Sequence, residues 1–137
     1  PEPLITRVEF VGGEFLYAVR VDTRDGFQLC PAEACAIDPD DLDRGPMFRI
    51  EEDFSSPLIA SYSQFLRTNR IQVAGIEFIV DAAGRALTYD INTNTNYNPD
   101  AEARLPADRP RGLASVAAYL GRELATAAFG RKFVVAA

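Results

Sequence analysis

The segment that most constrains the fold is residues 71–92, IQVAGIEFIVDAAGRALTYDIN, in which two runs typical of β-strands flank a turn at residues 81–84. Side chains along a strand alternate between its two faces, so the register of a hairpin decides which residues lie together. Placing Val80 opposite Arg85 predicts one face that is wholly apolar: Ile76, Phe78, Val80, Leu87, Tyr89 and Ile91. The other face is predicted to carry the polar residues Glu77, Thr88, Asp90 and Asn92.

A second alternating segment, residues 5–22, predicts another hairpin with a Gly-Gly turn at its centre. Pairing Val11 with Glu14 sets the register of this hairpin. One predicted face packs on a core and consists of Val8, Phe10, Phe15, Tyr17, Val19 and Val21. The opposite face is predicted to bring Arg7 and Arg20 close together on neighbouring strands.

The remaining segments predict helices that cover the sheet. Residues 56–69 begin with a serine and a proline, which favour a helix N-terminus, and their apolar residues recur at helical spacing. Residues 111–129 predict a second helix that ends at Gly130. Its predicted apolar side consists of Leu113, Val116, Ala117, Leu120, Leu124 and Ala128. Residues 24–56 predict irregular structure, with a short helix near residues 31–36. The fold class is therefore α+β, a mostly antiparallel sheet with helices on one face.

Composition excludes several functional classes. The net charge of −6 argues against a nucleic-acid or membrane-surface partner, because both need a clustered basic face. No apolar stretch approaches the ~20 residues of a membrane span. The chain has no histidine, and Cys30 and Cys35 lack C-x-x-C spacing. Zinc sites and His-based catalytic triads are therefore excluded. Two reduced thiols in a cytoplasmic protein are the preferred interpretation. The acidic run at residues 38–53 predicts a solvated loop.

Glu77, Asp90 and Asn92 form the candidate metal site. Asp90 and Asn92 are two residues apart on one strand and point the same way, and Glu77 is their predicted diagonal neighbour on the next strand. Two carboxylates and an amide oxygen are hard ligands of the kind that Mg²⁺ prefers. The alternative is an ordinary polar outer face of a half-buried hairpin.

The run AGIEFIVDAAGRALTYDINTNTNYN resembles the closing hairpin of ATP-grasp ligases, similar to ribosomal-protein glutamate ligase and glutathione synthetase. The resemblance implies that Glu77, Asp90 and Asn92 hold the Mg²⁺ (or Mn²⁺) that bridges the ATP phosphates, and Asn92 thereby also contacts the nucleotide. Asn94 either lines the phosphate side of the cleft or completes an Asx-type turn.

The first hairpin, ITRVEFVGGEFLYAVRVDT, resembles the strand pair of the same family in which an arginine lies near the transferred phosphoryl group. Arg7 matches that position, and Arg20 is offset by about one residue from some family patterns. The resemblance implies that both arginines act on the phosphate as catalytic residues.

The resemblance implies an ATP-dependent ligase that joins a small-molecule carboxylate to an amine, thiol or amino acid through an acyl phosphate. Residues 1–137 would form one domain, the C-terminal part of an ATP-grasp domain. Its only lysine is Lys132 and it has no glycine-rich phosphate loop, so the nucleotide-clamping lobe is expected upstream and the chain alone is expected to be inactive. A non-catalytic binding or oligomerisation module and a kinase on the same fold remain open, as does a homo-oligomer formed through exposed strand edges.

Overall fold

The computed structural model of this protein describes residues 3–24 and 45–132, with side chains through residue 128. These described residues contain five strands and three helices: β1 Leu4–Val11, β2 Glu14–Asp22, β3 Phe48–Glu51, α1 Pro57–Thr68, β4 Val73–Val80, β5 Ala86–Asn92, α2 Pro99–Ala103 and α3 Gly112–Lys132. Cys30, Cys35 and the helix predicted near residues 31–36 lie outside the described residues. In the part of the chain described, no helix is long and apolar enough to cross a bilayer.

The strands form one five-stranded sheet in the order β3-β2-β1-β4-β5, and every neighbouring pair is antiparallel. The two predicted hairpins are therefore β1–β2 and β4–β5, and they join through the pairing of β1 with β4. The α+β class with a mostly antiparallel sheet is confirmed.

Helix α1 covers one face of this sheet. Its Ser56 cap accepts a hydrogen bond from the Leu58 amide at 3.2 Å, and Pro57 occupies the first turn, where no backbone donor is needed. Tyr62 and Leu66 are the buried residues of the helix. They pack into a core with the inward-facing side chains of the two central strands: Val8, Phe10, Ala74, Ile76 and Phe78.

Helices α2 and α3 contact the opposite face, so the helices lie on both faces of the sheet and not on one. The Glu102 carboxylate links both helices to the sheet: Glu102 Oε1 accepts from the Tyr17 hydroxyl and from the Gly112 amide, each at 2.6 Å. Since the Gly112 amide is one of the unpaired donors at the start of α3, Glu102 acts as its cap. A smaller core on this face contains Ile5, Tyr17, Val19 and Val21.

Helix α3 differs from its prediction in extent and orientation. It continues through Gly130 to Lys132, and so the predicted end at Gly130 is wrong. Of the predicted apolar side, Leu113, Leu120 and Leu124 are 73%, 56% and 71% exposed. The helix instead places Tyr119 against Gly12 in the β1–β2 turn.

Two short elements, β3 and α2, were not predicted from the sequence. Strand β3, FRIE, occupies part of the region predicted to be irregular, and four residues are too few for alternation to reveal a strand. Asn98 caps the N-terminus of helix α2, and its side chain accepts from the Ala101 amide at 2.9 Å. An Asn-Pro start is a helix signal that the sequence does contain.

A register shift in the β1–β2 hairpin changes which side chains share a face. Val11 pairs with Glu14 as predicted, but Leu16 is an extra residue between two consecutive pairs of the ladder. Beyond it, Arg7 lies opposite Val19, whereas Arg20 lies opposite Thr6. The prediction that Arg7 and Arg20 share a face is therefore wrong, because one extra residue exchanges the two faces.

A second shift occurs in the β4–β5 hairpin. Val80 pairs with Ala86, one residue from the predicted partner, and Tyr89 is the extra residue. Thr88 therefore lies on the α1 face, where its hydroxyl hydrogen-bonds that of Tyr62. Leu87 lies opposite Ile79 on the other face. The predicted placement of Leu87 and Thr88 is wrong because the pairing at the turn is displaced by one residue, and that of Tyr89 is wrong because it is the extra residue.

Replacing Leu66 with alanine tests the α1 core. Leu66 is fully buried, so the lost contacts and the remaining cavity should lower the free energy of unfolding by about 2–5 kcal/mol. Leu124→Ala, at a position 71% exposed, is the matched control and should change stability by less than ~0.5 kcal/mol. Urea denaturation measures both, and equal losses would contradict the assignment of the core.

Candidate functional site

A row of charged side chains crosses the neighbouring strands β1, β4 and β5 on the face opposite α1. Arg7 on β1 lies directly opposite Glu77 on β4, and Glu77 lies directly opposite Asp90 on β5. Arg7 Nε donates to Glu77 Oε1 at 2.8 Å. Cross-strand partners have Cβ atoms ~5 Å apart, so the Cβ atoms of Glu77 and Asp90 are nearer than the predicted diagonal arrangement would place them.

Glu77 is the fixed centre of this row. Only 1% of its side chain is exposed, and each carboxylate oxygen has a donor: Arg7 Nε on Oε1 and the Tyr89 hydroxyl on Oε2, both at 2.8 Å. Burial and the hydrogen bond to Glu77 raise the pKa of Tyr89, so its hydroxyl stays protonated and donates. The extra residue of the β4–β5 hairpin thus helps to orient the buried carboxylate.

Asp90 and Asn92 are more exposed to solvent than Glu77. Asp90 is exposed, and Asn92 is half-buried opposite Gly75. Asn92 Oδ1 accepts from the backbone N–H of Asn94 at 2.8 Å, an Asx-type turn made by the side chain of Asn92 and not by that of Asn94. The Asn94 side chain is exposed in the loop that follows β5. The structure therefore brings Glu77, Asp90 and Asn92 onto one face and leaves Asn94 at its border.

The donor set fits a magnesium ion that also binds a ligand. Among the described residues, no group of three or more His, Cys, Asp or Glu side chains is arranged to hold a metal. Glu77 and Asp90 supply two carboxylates and Asn92 an amide oxygen, which is an incomplete cage. Mg²⁺ is commonly held by one or two carboxylates, with water and substrate phosphates completing its octahedron.

Arg20 is not part of this face. It lies opposite Arg49 on β3, and its Nε is 2.9 Å from Glu51 Oε1. The structure therefore does not bring Arg20 to Arg7, Glu77 or Asp90.

Glu9 is a buried carboxylate whose environment the sequence did not reveal. It lies two residues from Arg7 on the same face, 1% exposed. The Thr95 hydroxyl lies 2.9 and 3.0 Å from its two oxygens and donates to this carboxylate, and Arg7 Nη1 is 3.9 Å from Oε1. Burial raises the pKa of Glu9 to about 7, although the charge of Arg7 and the hydrogen bond from Thr95 act to lower it.

The loop after β5 folds back over the row. Arg7 Nη1 donates to the Asn96 carbonyl at 3.4 Å, and Thr95 reaches Glu9 across Gly75. A Cβ at Gly75 would lie 2.9 Å from Thr95 Oγ1 and 3.0 Å from Glu9 Oε2, so only glycine leaves room for this approach. Tyr97 packs beside Gly112, and burial raises the pKa of Tyr97 to about 12.

The Glu9→Gln variant tests the burial of Glu9. The folded-state pKa lies above the ordinary 4.5, so the stability that protonation supplies is complete below pH ~4.5 and is lost as pH rises through about 7. The wild-type free energy of unfolding should therefore fall relative to that of Glu9→Gln by roughly 2–3 kcal/mol between pH 5 and pH 8. Urea denaturation at both pH values, with the exposed Glu14→Gln as control, measures the difference. A constant difference would show that Glu9 ionises freely in the folded state.

No family model matches the sequence, and a search of curated proteins gave no match. Three solved structures are similar over part of the chain. The ATP-grasp ligase PsnB, complexed with a phosphomimetic variant of its minimal precursor, Mg and ADP, has a TM-score of 0.48 and 17% sequence identity. The similarity covers 74% of this chain and 28% of that one.

The macrocyclase MdnC from Microcystis aeruginosa MRC, bound with precursor peptide MdnA, has a TM-score of 0.44 and 16% identity, covering 74% of this chain and 30% of that one. A RiPP-associated ATP-grasp ligase from Chryseobacterium gregarium, in complex with ADP and a leader and core peptide, has a TM-score of 0.43 and 16% identity. That similarity covers 69% of this chain and 27% of the ligase. This chain thus spans less than a third of the length of each structure.

Proposed function

We propose that this chain supplies the phosphate side of the active site of an ATP-grasp ligase, as the C-terminal portion of the ATP-grasp domain. The observation that carries the proposal is the row Arg7–Glu77–Asp90 with Asn92 beside it. These are the residues that the resemblance to the family selects, and they lie on one face of the sheet although they come from three strands.

The proposed reaction has two steps. A substrate carboxylate oxygen attacks the γ-phosphorus of ATP, the bond to ADP breaks, and an acyl phosphate forms. The nitrogen or sulfur of an amine or thiol then attacks the acyl carbon, inorganic phosphate leaves with the bonding electron pair, and the attacking group loses its proton. The substrates are a carboxylate and an amine, thiol or amino acid. The protein mainly positions these groups and neutralises charge.

Glu77, Asp90 and Asn92 would hold the Mg²⁺ ion. When bound, this ion neutralises the oxygens of the β- and γ-phosphates. Asp90 is exposed and can approach a ligand without breaking an existing contact among the described residues. Glu77, in contrast, is held by Arg7 and Tyr89, so it provides a fixed anchor.

Arg7 has two roles in this proposal. Its Nε orients the Glu77 carboxylate, and its side chain is still 14% exposed on the face of the row. A guanidinium has five N–H donors in a planar fork, so Arg7 can bind Glu77 and a phosphate oxygen at the same time. It would stabilise the transferred phosphoryl group.

One observation favours a second candidate, a nucleotide-binding module without turnover. Both oxygens of Glu77 already accept hydrogen bonds from protein donors, which makes Glu77 a weaker metal ligand. Such a module would bind Mg-ATP without releasing ADP. A kinase on the same fold would transfer the phosphate to a hydroxyl, and product analysis separates it from the ligase.

The Asp90→Asn variant tests the proposed function in the protein that contains this chain. ADP release is measured with Mg-ATP and a pool of amino acids and short peptides, since these carry both carboxylates and amines. Loss of the only exposed carboxylate of the row should reduce release by roughly 100-fold or more, as removal of a charge-stabilising group does in other enzymes. Asp53→Asn, which changes an exposed acid in the turn after β3, is the charge-matched control and should retain full release.

Equal release by wild type and Asp90→Asn would contradict the assignment of the metal site. Mg-dependent ATP binding without ADP release would favour the binding module. Mass spectrometry of the products then distinguishes a ligated product from a phosphorylated one.

A further inference from the structure

A cavity of about 300 Å³ lies at the β2–β3 end of the sheet, and three arginines line it. The residues that define this arginine cavity are Leu4, Arg20, Asp22, Arg24, Met47 and Arg49. Arg20 and Arg49 lie on the face opposite the row of Arg7 and Glu77. The cavity is therefore separate from the candidate metal site.

The pairing of Arg20 with Arg49 is an unusual feature of this cavity. The two residues are directly opposite each other on antiparallel strands, where like charges destabilise the sheet. Arg20 is paired with Glu51, and Arg24 Nε donates to Asp22 at 2.8 Å. No ion pair or hydrogen bond of the Arg49 side chain is found among residues 3–24 and 45–132.

The charge of the cavity contrasts with that of the protein. Within residues 3–24 and 45–132, its three arginines outnumber the carboxylates paired with them, Asp22 and Glu51, whereas the whole chain carries a net charge of −6. Positive charge concentrated in a concave site attracts anions and raises their local concentration.

We propose that the arginine cavity binds a small anion that carries a phosphate or carboxylate group, with Arg49 as its principal ligand and Arg20 beside it. The planar fork of a guanidinium matches both groups with two parallel hydrogen bonds. A bound anion would also relieve the repulsion between the two opposed arginines. At about 300 Å³ the cavity is at the small end of ligand sites, which favours a small metabolite over a nucleotide or a peptide.

Amide chemical shifts measured by NMR test this proposal with inorganic phosphate and succinate as the two probes. At least one probe should give saturable shifts centred on residues 19–21 and 48–50. Arg49→Gln should weaken its binding at least fivefold while leaving the fold intact, because the Arg49 side chain is exposed and has no ion pair or hydrogen bond within residues 3–24 and 45–132. Arg67→Gln, which removes an exposed arginine of α1, is the charge-matched control and should bind as wild type does.

The probe that binds identifies which of the two groups the cavity prefers. Asp90→Asn should bind it unchanged, since the cavity and the row lie on opposite faces. The absence of saturable shifts with both probes would overturn the proposal. So would equal weakening in Arg49→Gln and Arg67→Gln, or shifts centred on residues 75–77 and 90–92. None of these outcomes bears on ADP release, so the proposed function is tested separately.

Discussion

The buried ion pair between Arg7 and Glu77 is the interaction on which the rest of the site depends. It joins the two hairpins at the β1–β4 pairing, where strands separated by about 70 residues meet. Removing one partner of such a pair typically costs about 3–5 kcal/mol, because the remaining charge stays buried without its partner. The pair therefore fixes the register between the hairpins, and with it the positions of Asp90 opposite Glu77 and of the loop over Arg7.

The hairpins and helix α1 could be predicted because alternation, turn residues and caps are local signals. The two extra residues, Leu16 and Tyr89, could not, because the side chains that follow each of them suit either face. In the first hairpin the shift moves Arg20 away from Arg7. In the second, a one-residue error at the turn and the shift at Tyr89 offset each other. Glu77, Asp90 and Asn92 consequently share a face as predicted, although the reason given for it was incomplete.

What the sequence did not reveal are contacts between residues far apart in the chain. Glu9 meets Thr95 across 86 residues, and Tyr17 meets Glu102 across 85. No pattern within either strand indicates these partners. They matter because three buried acids, Glu9, Glu77 and Glu102, lie on one face, each with hydrogen-bond donors of its own. Arg7 is the only arginine among the strand residues described on this face, so the face is a suitable environment for a cation that carries phosphate with it.

The central claim is that Glu77, Asp90 and Asn92 act together as a metal site on this face. Titration of ¹⁵N-labelled protein with Mn²⁺, used as a paramagnetic probe in place of Mg²⁺, tests it most directly through the broadening of amide signals. The strongest broadening should occur at residues 75–77 and 90–92 and disappear in Asp90→Asn. Broadening centred on the acidic run at residues 38–53, with the signals of the row unchanged, would contradict the claim.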